Sequence, residues 1–137
     1  MKKIILSDTP DYNIKLAGIV SATPLYRLVW VINNHLSFDF SLTDDWPLSL
    51  PAQEESLHTC FRYADKNLEL EWYMVKNRGT AGILLKTRPL SDYVMMLKGE
   101  DYGNEFDRVT ASLKPLREIT ALMPVDFNTL KDKEKYI

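Results

Sequence analysis

The chain has 137 residues, 45% of them hydrophobic and 26% charged, which is ordinary globular usage and excludes wholesale disorder or collagen-like repetition. Its formal net charge of −2 argues against a strongly basic, histone-like binder. Cys60 is the single cysteine, so an internal disulfide and a four-cysteine zinc site are both excluded. The length fits one domain that can bury a core without staples, and no linker, repeat or low-complexity stretch divides it.

At the N-terminus, Lys2-Lys3 and Ile4-Ile5-Leu6 are too short for the apolar region of a signal peptide, and Asp8 and Asp11 close the run. No apolar stretch approaches the length that spans a bilayer. The expectation is a soluble cytoplasmic protein with no membrane contact, consistent with its lone cysteine.

Ile4 to Leu6 reads as a short strand, followed by turn chemistry at Asp8-Thr9-Pro10-Asp11. Ile14 to Val20 has an ambiguous period. Thr23 as N-cap and Pro24 at the first helical position start a helix over residues 24–35, with Leu25, Leu28, Val29, Ile32 and Leu36 on one stripe. Tyr26, Trp30 and Asn33 form a second stripe beside it.

Phe38, Phe40 and Leu42 alternate with polar residues as in a half-buried strand. Residues 43–55 read as a polar loop pinned by Trp46 and Leu48. Leu57 to Tyr63 and Leu68 to Met74 alternate as the two arms of a hairpin turning at Ala64-Asp65-Lys66-Asn67. Asn77-Arg78-Gly79 turns the chain again. The apolar runs Ile83–Leu85 and Tyr93–Leu97 suit central strands. Asn104 is a candidate N-cap for a last helix carrying Phe106, Val109, Leu113, Leu116, Ile119 and Leu122, kinked or split by Pro115. The charged tail 131–137 is expected to fray. The sum is one α+β domain over residues 1–137: an antiparallel sheet of four to five strands, with an N-terminal and a C-terminal helix packed on one face.

No spacing amounts to a catalytic signature. His58 and Cys60, at i and i+2 on a strand, share a face and could start a metal site, but Glu69 or Glu71 would have to complete it. Two ordinary strand residues are the simpler reading, and no metal or cofactor is expected. The acidic pairs Asp44-Asp45, Glu54-Glu55 and Glu100-Asp101 sit in turn-like contexts and read as solvated loop charges. The glycines fall in no phosphate-binding or dinucleotide-binding spacing, and no serine sits in a nucleophile elbow.

Charge distribution says more than net charge. Residues 44–71 carry Asp44, Asp45, Glu54, Glu55, Asp65, Glu69 and Glu71 against Arg62 and Lys66, a net −5. Residues 76–98 carry Lys76, Arg78, Lys86, Arg88 and Lys98 against Asp92, a net +4. The five cations form a candidate basic patch, which with Tyr73 or Tyr93 could hold single-stranded RNA by phosphate contact and stacking. Charges that blunt sheet edges and loop tips are the preferred account.

Three stretches carry a resemblance. They are Ile14-Lys15-Leu16-Ala17-Gly18-Ile19 with Tyr26-Arg27-Leu28-Val29-Trp30 and Asn33-Asn34-His35-Leu36; Tyr73-Met74-Val75-Lys76-Asn77-Arg78; and Leu84-Leu85-Lys86 with Asp92-Tyr93-Val94-Met95-Met96-Leu97-Lys98-Gly99. Their order and spacing resemble the IPExxxVDY-motif family of small bacterial proteins over nearly the whole chain. Leu85-Lys86-Thr87 stands where the family has Ile-Pro-Glu, and Ser91 precedes the retained Asp92-Tyr93 in place of valine. The resemblance supplies no activity or ligand set, and no role of the missing glutamate carries over.

Asp92-Tyr93 also has its own reading. Tyr93 starts an apolar strand with its hydroxyl near the sheet's end, where Tyr26-Arg27 and Asn33 of the helix could meet it. Arg27, Asn33, Asn77, Asp92 and Tyr93 therefore form a candidate polar cluster. A network pinning the helix to the sheet is its preferred account, and an enzyme of unrecognised type is the alternative. The leading functional expectation is a non-enzymatic domain that binds a protein partner, in which Tyr26 and Trp30 face a second copy of the chain. Single-stranded RNA is the second expectation.

Overall fold

The computed structural model describes residues 13–137. The expected strand at Ile4–Leu6 and turn at Asp8–Asp11 lie outside the described residues. The elements are β1 (Ile14–Val20), α1 (Leu25–Leu36), β2 (Ser41–Leu42), β3 (Trp46–Ser49), β4 (Glu55–His58), β5 (Cys60–Asp65), β6 (Leu70–Lys76), β7 (Tyr93–Lys98), α2 (Glu105–Leu113) and β8 (Ala121–Val125). Single 3-10 turns follow at Phe127–Thr129 and Lys133–Tyr136. The fold is α+β. Six strands, rather than four to five, form one antiparallel sheet in the order β2-β5-β6-β7-β1-β8, and β3 and β4 pair as a separate ribbon.

Strand alternation divides the sheet between two cores. Ala17, Ile19, Trp72, Met74, Met95 and Leu97 join Leu28 and Ile32 of α1 and Phe106, Val109 and Leu113 of α2 in the first. Leu16, Cys60, Val75, Val94 and Met96 meet Leu48, Leu84, Leu85, Phe127 and Tyr136 in the second. Both faces are covered, so β7 is buried at every position from Tyr93 to Leu97, the burial a continuous apolar run requires.

Several elements depart from expectation, each for a local reason. The Asn33 side chain donates to Phe40 O and accepts from Phe40 N, at 3.1 and 2.9 Å. That clamp curls residues 37–40 onto the end of α1, so only Ser41–Leu42 reaches the sheet. Residues 46–49 are not loop. They pair with Glu55–His58, where Leu48 is buried. The expected arm Leu57 to Tyr63 therefore breaks at Thr59 into β4 and β5, which belong to different sheets. The hairpin after it turns at 66–69, with the Asp65 carboxylate accepting from the amides of Asn67 and Leu68 at 3.1 Å each.

Ile83–Leu85 is no strand; only the bridge Arg78–Ile83 forms there, and Leu84 and Leu85 are buried as a loop laid over the second core. The last helix stops at Leu113, ahead of Pro115, and Ala121–Val125 becomes edge strand β8 against β1. The tail is packed rather than frayed. Tyr136 is 1% exposed and donates to Leu84 O at 3.1 Å, while the Trp46 indole donates to Lys135 O at 2.9 Å.

Helix caps also differ from the sequence expectation. Pro24 itself is the N-cap of α1, and Thr23 makes no capping bond. Asn104 does precede α2, but in a left-handed conformation without a side-chain cap. The Asp101 carboxylate does the capping, accepting from the amides of Glu105 at 2.6 Å and Phe106 at 2.9 Å and pairing with Lys15 at 3.1 Å. The turn that delivers it needs Gly99, whose φ of +125° and 2.8 Å approach of a would-be Cβ to Glu69 O exclude a side chain.

Burial opposes the charge on Asp101, but the Phe106 and Glu105 amides and Lys15 outweigh it and hold its carboxyl below the ordinary carboxylate range. A carboxyl whose pKa is lower folded than unfolded stabilises above the unfolded value, and that contribution disappears as pH falls through the folded one. Asp101→Asn is expected to lose about 1–2 kcal/mol near neutral pH, and the deficit should close in acid. Urea midpoints at neutral pH and near pH 2 test this, and a deficit equally large in acid counts against charge-assisted capping.

Candidate functional site

The five residues of the candidate polar cluster are not brought together as one site. Asn77, Asp92 and Tyr93 do meet, beside the start of α1. The Asp92 carboxylate accepts from Ser21 N at 2.9 Å, and the Asp92 backbone bonds Ile19 and Asn77. The Tyr93 hydroxyl donates to Thr23 O, and its ring is 7% exposed. Burial, and then the charge of Asp92, push the Tyr93 hydroxyl pKa up, so it stays a neutral donor.

Asn77 lies deeper, at 1% exposure. Its Nδ2 donates to Leu85 O at 2.7 Å and Ser91 O at 2.8 Å, and its Oδ1 accepts from Leu85 N at 2.7 Å. These bonds tie residues 85–91 to the sheet and leave no donor of the side chain spare. Asn33 is spent on Phe40. Arg27 is exposed on α1 and takes part in none of these bonds. A hollow of about 180 Å3 lies beside Lys76, Arg78, Ser91, Asp92 and Tyr93.

His58 and Cys60 fall on strands of different sheets. His58 ends β4, is fully buried and hydrogen-bonds Lys76 O through Nδ1 at 2.8 Å. Its Nε2 is the one buried side-chain nitrogen or oxygen without a hydrogen-bond partner among the described residues. Gly79 fills the space against it, since a Cβ there would stand 2.5 Å from Nε2. Cys60 opens β5; burial, and then the charge of Asp45, push its thiol up to about 12, so it is protonated and unreactive at neutral pH. Glu71 is engaged with Arg62 at 2.9 Å and the Tyr73 hydroxyl at 2.7 Å, and Glu69 sits in the hairpin turn. No cluster of three or more His, Cys, Asp or Glu able to hold a metal occurs among the described residues.

The basic residues are divided between two places. Lys76 and Arg78 border the small hollow, whereas Lys86 and Lys98 border a larger groove walled by Trp46–Pro51, and Ile83 lines both. Arg88 is exposed between them in sequence, on the 85–91 loop. The acidic and basic segments are not separate poles either, because Glu71 stands directly opposite Lys98 in the β6–β7 ladder. Neither expected stacking ring is open. Tyr93 is buried, and Tyr73 is covered by the Lys98 ammonium at 5.3 Å and the Trp46 ring at 5.4 Å.

The outer face of α1 is different. Leu25, Leu28, Val29 and Ile32 are buried, whereas Tyr26 and Trp30 are 70% and 65% exposed one turn apart. Asn34 continues the stripe, donating to Trp30 O at 2.8 Å. The helix contains no carboxylate.

Sequence reading missed Asp101 as a cap, because the carboxylate lies three residues before the residue that occupies the N-cap position. It also missed Trp46 as a partner of Lys98, because the two meet only through tertiary folding. No helix among the described residues is long and apolar enough to cross a membrane. No protein-family model and no curated protein sequence matches the chain.

Proposed function

We propose that this chain is a non-enzymatic interaction domain that pairs with a second copy of itself through the outer face of α1. The observation that carries this reading is the exposure of Tyr26 and Trp30, two large aromatic rings in one stripe on a helix whose opposite face is fully packed. Exposed aromatics of this kind are enriched in contact surfaces, where rigid rings bury much area at little entropic cost. An antiparallel crossing centred on Trp30 sets Tyr26 of one copy against Asn34 of the other, so the stripe is self-complementary. The absence of a carboxylate on α1 removes like-charge repulsion between acids, and Arg27 can lie over an aromatic face across the contact. The resemblance to the IPExxxVDY-motif family belongs to the same proposal, since Tyr26-Arg27-Leu28-Val29-Trp30 is one of the stretches that carries it.

The polar cluster supports a structural role rather than an active site, because the bonds of Asn77, Asp92 and Tyr93 are made within the fold. The single-stranded RNA reading has weaker support: its cations are split between two hollows and its stacking rings are covered.

Sedimentation velocity tests the proposal. The native chain is expected to sediment as a dimer at micromolar concentrations and Trp30→Glu as a monomer. The circular dichroism of the variant should be unchanged, because an exposed substitution costs within about 0.5 kcal/mol. A native chain still monomeric at roughly 100 μM, well above a micromolar Kd, overturns self-pairing.

A further inference from the structure

The groove on the second face of the sheet has a volume of about 660 Å3, within the usual size of small-molecule sites. The ribbon residues Trp46–Pro51, Ile83 and the C-terminal turn wall it. Three ammonium groups border it, those of Lys86, Lys98 and Lys135, together with the carboxylates of Asp132 and Glu134.

Lys98 is the unusual member. Its Nζ lies 4.8 Å from the centre of the Trp46 ring and 5.3 Å from that of Tyr73, and the two rings meet edge to face. Among the described residues, no ion pair and no hydrogen bond to an acceptor includes the ammonium of Lys98, Lys86 or Lys135. Glu71, across the ladder from Lys98, is held by Arg62 and Tyr73. A half-buried ammonium with only ring faces for partners has lost water without gaining an acceptor. Burial accordingly pushes the Lys98 pKa down. Lys135 is pushed down too, first by burial and then by the charge of Lys86, against the opposing pull of Asp132 and Glu134.

We propose that this groove binds a small organic anion, its phosphate or carboxylate group meeting Lys98, Lys86 and Lys135 and its apolar body lying against Leu50 and Ile83. The anion supplies the acceptor that Lys98 lacks in the fold, and the apolar wall supplies affinity that a bare ion would not gain. The concave shape favours a compact ligand over an extended polyanion.

Titration of the whole protein with octyl phosphate, octanoate, inorganic phosphate and octanol, below micelle-forming concentrations and followed by amide and indole NMR shifts, tests the site. At least one amphipathic anion is expected to saturate, with the largest shifts at Trp46, Leu50, Ile83 and Lys98. The tighter of the two identifies the head group. Inorganic phosphate and octanol should each bind at least about tenfold more weakly, since each offers only half of the contact. Lys98→Met and the double variant Lys86→Gln/Lys135→Gln should each weaken binding about tenfold or more. The double variant removes charge near the surface, so it keeps the test open should Lys98→Met disturb the fold. Saturation by neither amphipathic anion, equal binding of inorganic phosphate, shifts confined to another surface such as α1, or unchanged affinity in the double variant would each overturn the assignment.

Discussion

Asn77→Asp is expected to destabilise the fold by about 3–5 kcal/mol, among the largest losses any single polar substitution here can cause. Aspartate matches asparagine in shape and keeps the bond that Oδ1 accepts from Leu85 N. It loses both Nδ2 donors and turns an oxygen towards the carbonyls of Leu85 and Ser91, which asparagine approaches at 2.7 and 2.8 Å. At 1% exposure water does not replace them. Each unpaired buried group costs about 1–3 kcal/mol, and a buried carboxylate adds its own desolvation.

The pH dependence distinguishes this from a packing defect. In this setting the new carboxyl has a higher pKa folded than unfolded, so its penalty is full at neutral pH. The penalty shrinks as pH falls and the protonated acid regains one donor. Urea midpoints of Asn77→Asp should therefore recover part of the loss between neutral and mildly acidic pH, while Asn77→Ala should show a smaller, pH-independent deficit. A variant as stable as the native chain at neutral pH would show that this clamp does not hold the 85–91 loop.

Trp72→Ala is expected to cost a similar amount, about 3–5 kcal/mol, through loss of apolar burial and the cavity left behind. Trp72 is 1% exposed at the centre of the first core. Its ring lies parallel to Phe106 of α2, 6.1 Å between centres at 7°, and 5.5 Å from Phe38 after α1. Phe38 in turn lies 4.7 Å from Tyr63 on β5. One side chain thus joins the sheet to both segments that cover it. The urea midpoint should fall with little change in slope if the domain stays cooperative. A loss below about 1 kcal/mol would mean that neighbours collapse into the space far better than this rigid aromatic packing allows.

What could be read in advance follows the range of the physical signal. The stripe of Leu25, Leu28, Val29 and Ile32 marks α1 because helix periodicity is carried by residues three and four apart. The hairpin of β5 and β6 and the buried run of β7 are equally local patterns. Ile83–Leu85 has the same apolar signature as β7 and is a loop, because its backbone groups are met by the side chain and carbonyl of Asn77 instead of a ladder. Hydropathy records that a residue is buried, not which partner its backbone finds. Of the candidate site residues, Asn77, Asp92 and Tyr93 lie together beside the start of α1. Arg27 serves the solvent face of α1, and Asn33, further along the helix, serves the Phe40 clamp.

Composition and pattern by themselves determined an α+β fold with an aromatic stripe on its first helix, because amphipathicity needs only near neighbours. Tertiary structure alone decided that β1 lies between β7 and β8, that a ribbon, a loop and the C-terminal turn cover the second face, and that Lys98 stands over Trp46 and Tyr73. Those arrangements join residues far apart in the chain. Their choice depends on which long-range pairing buries both faces of the sheet at once, and no local period encodes that.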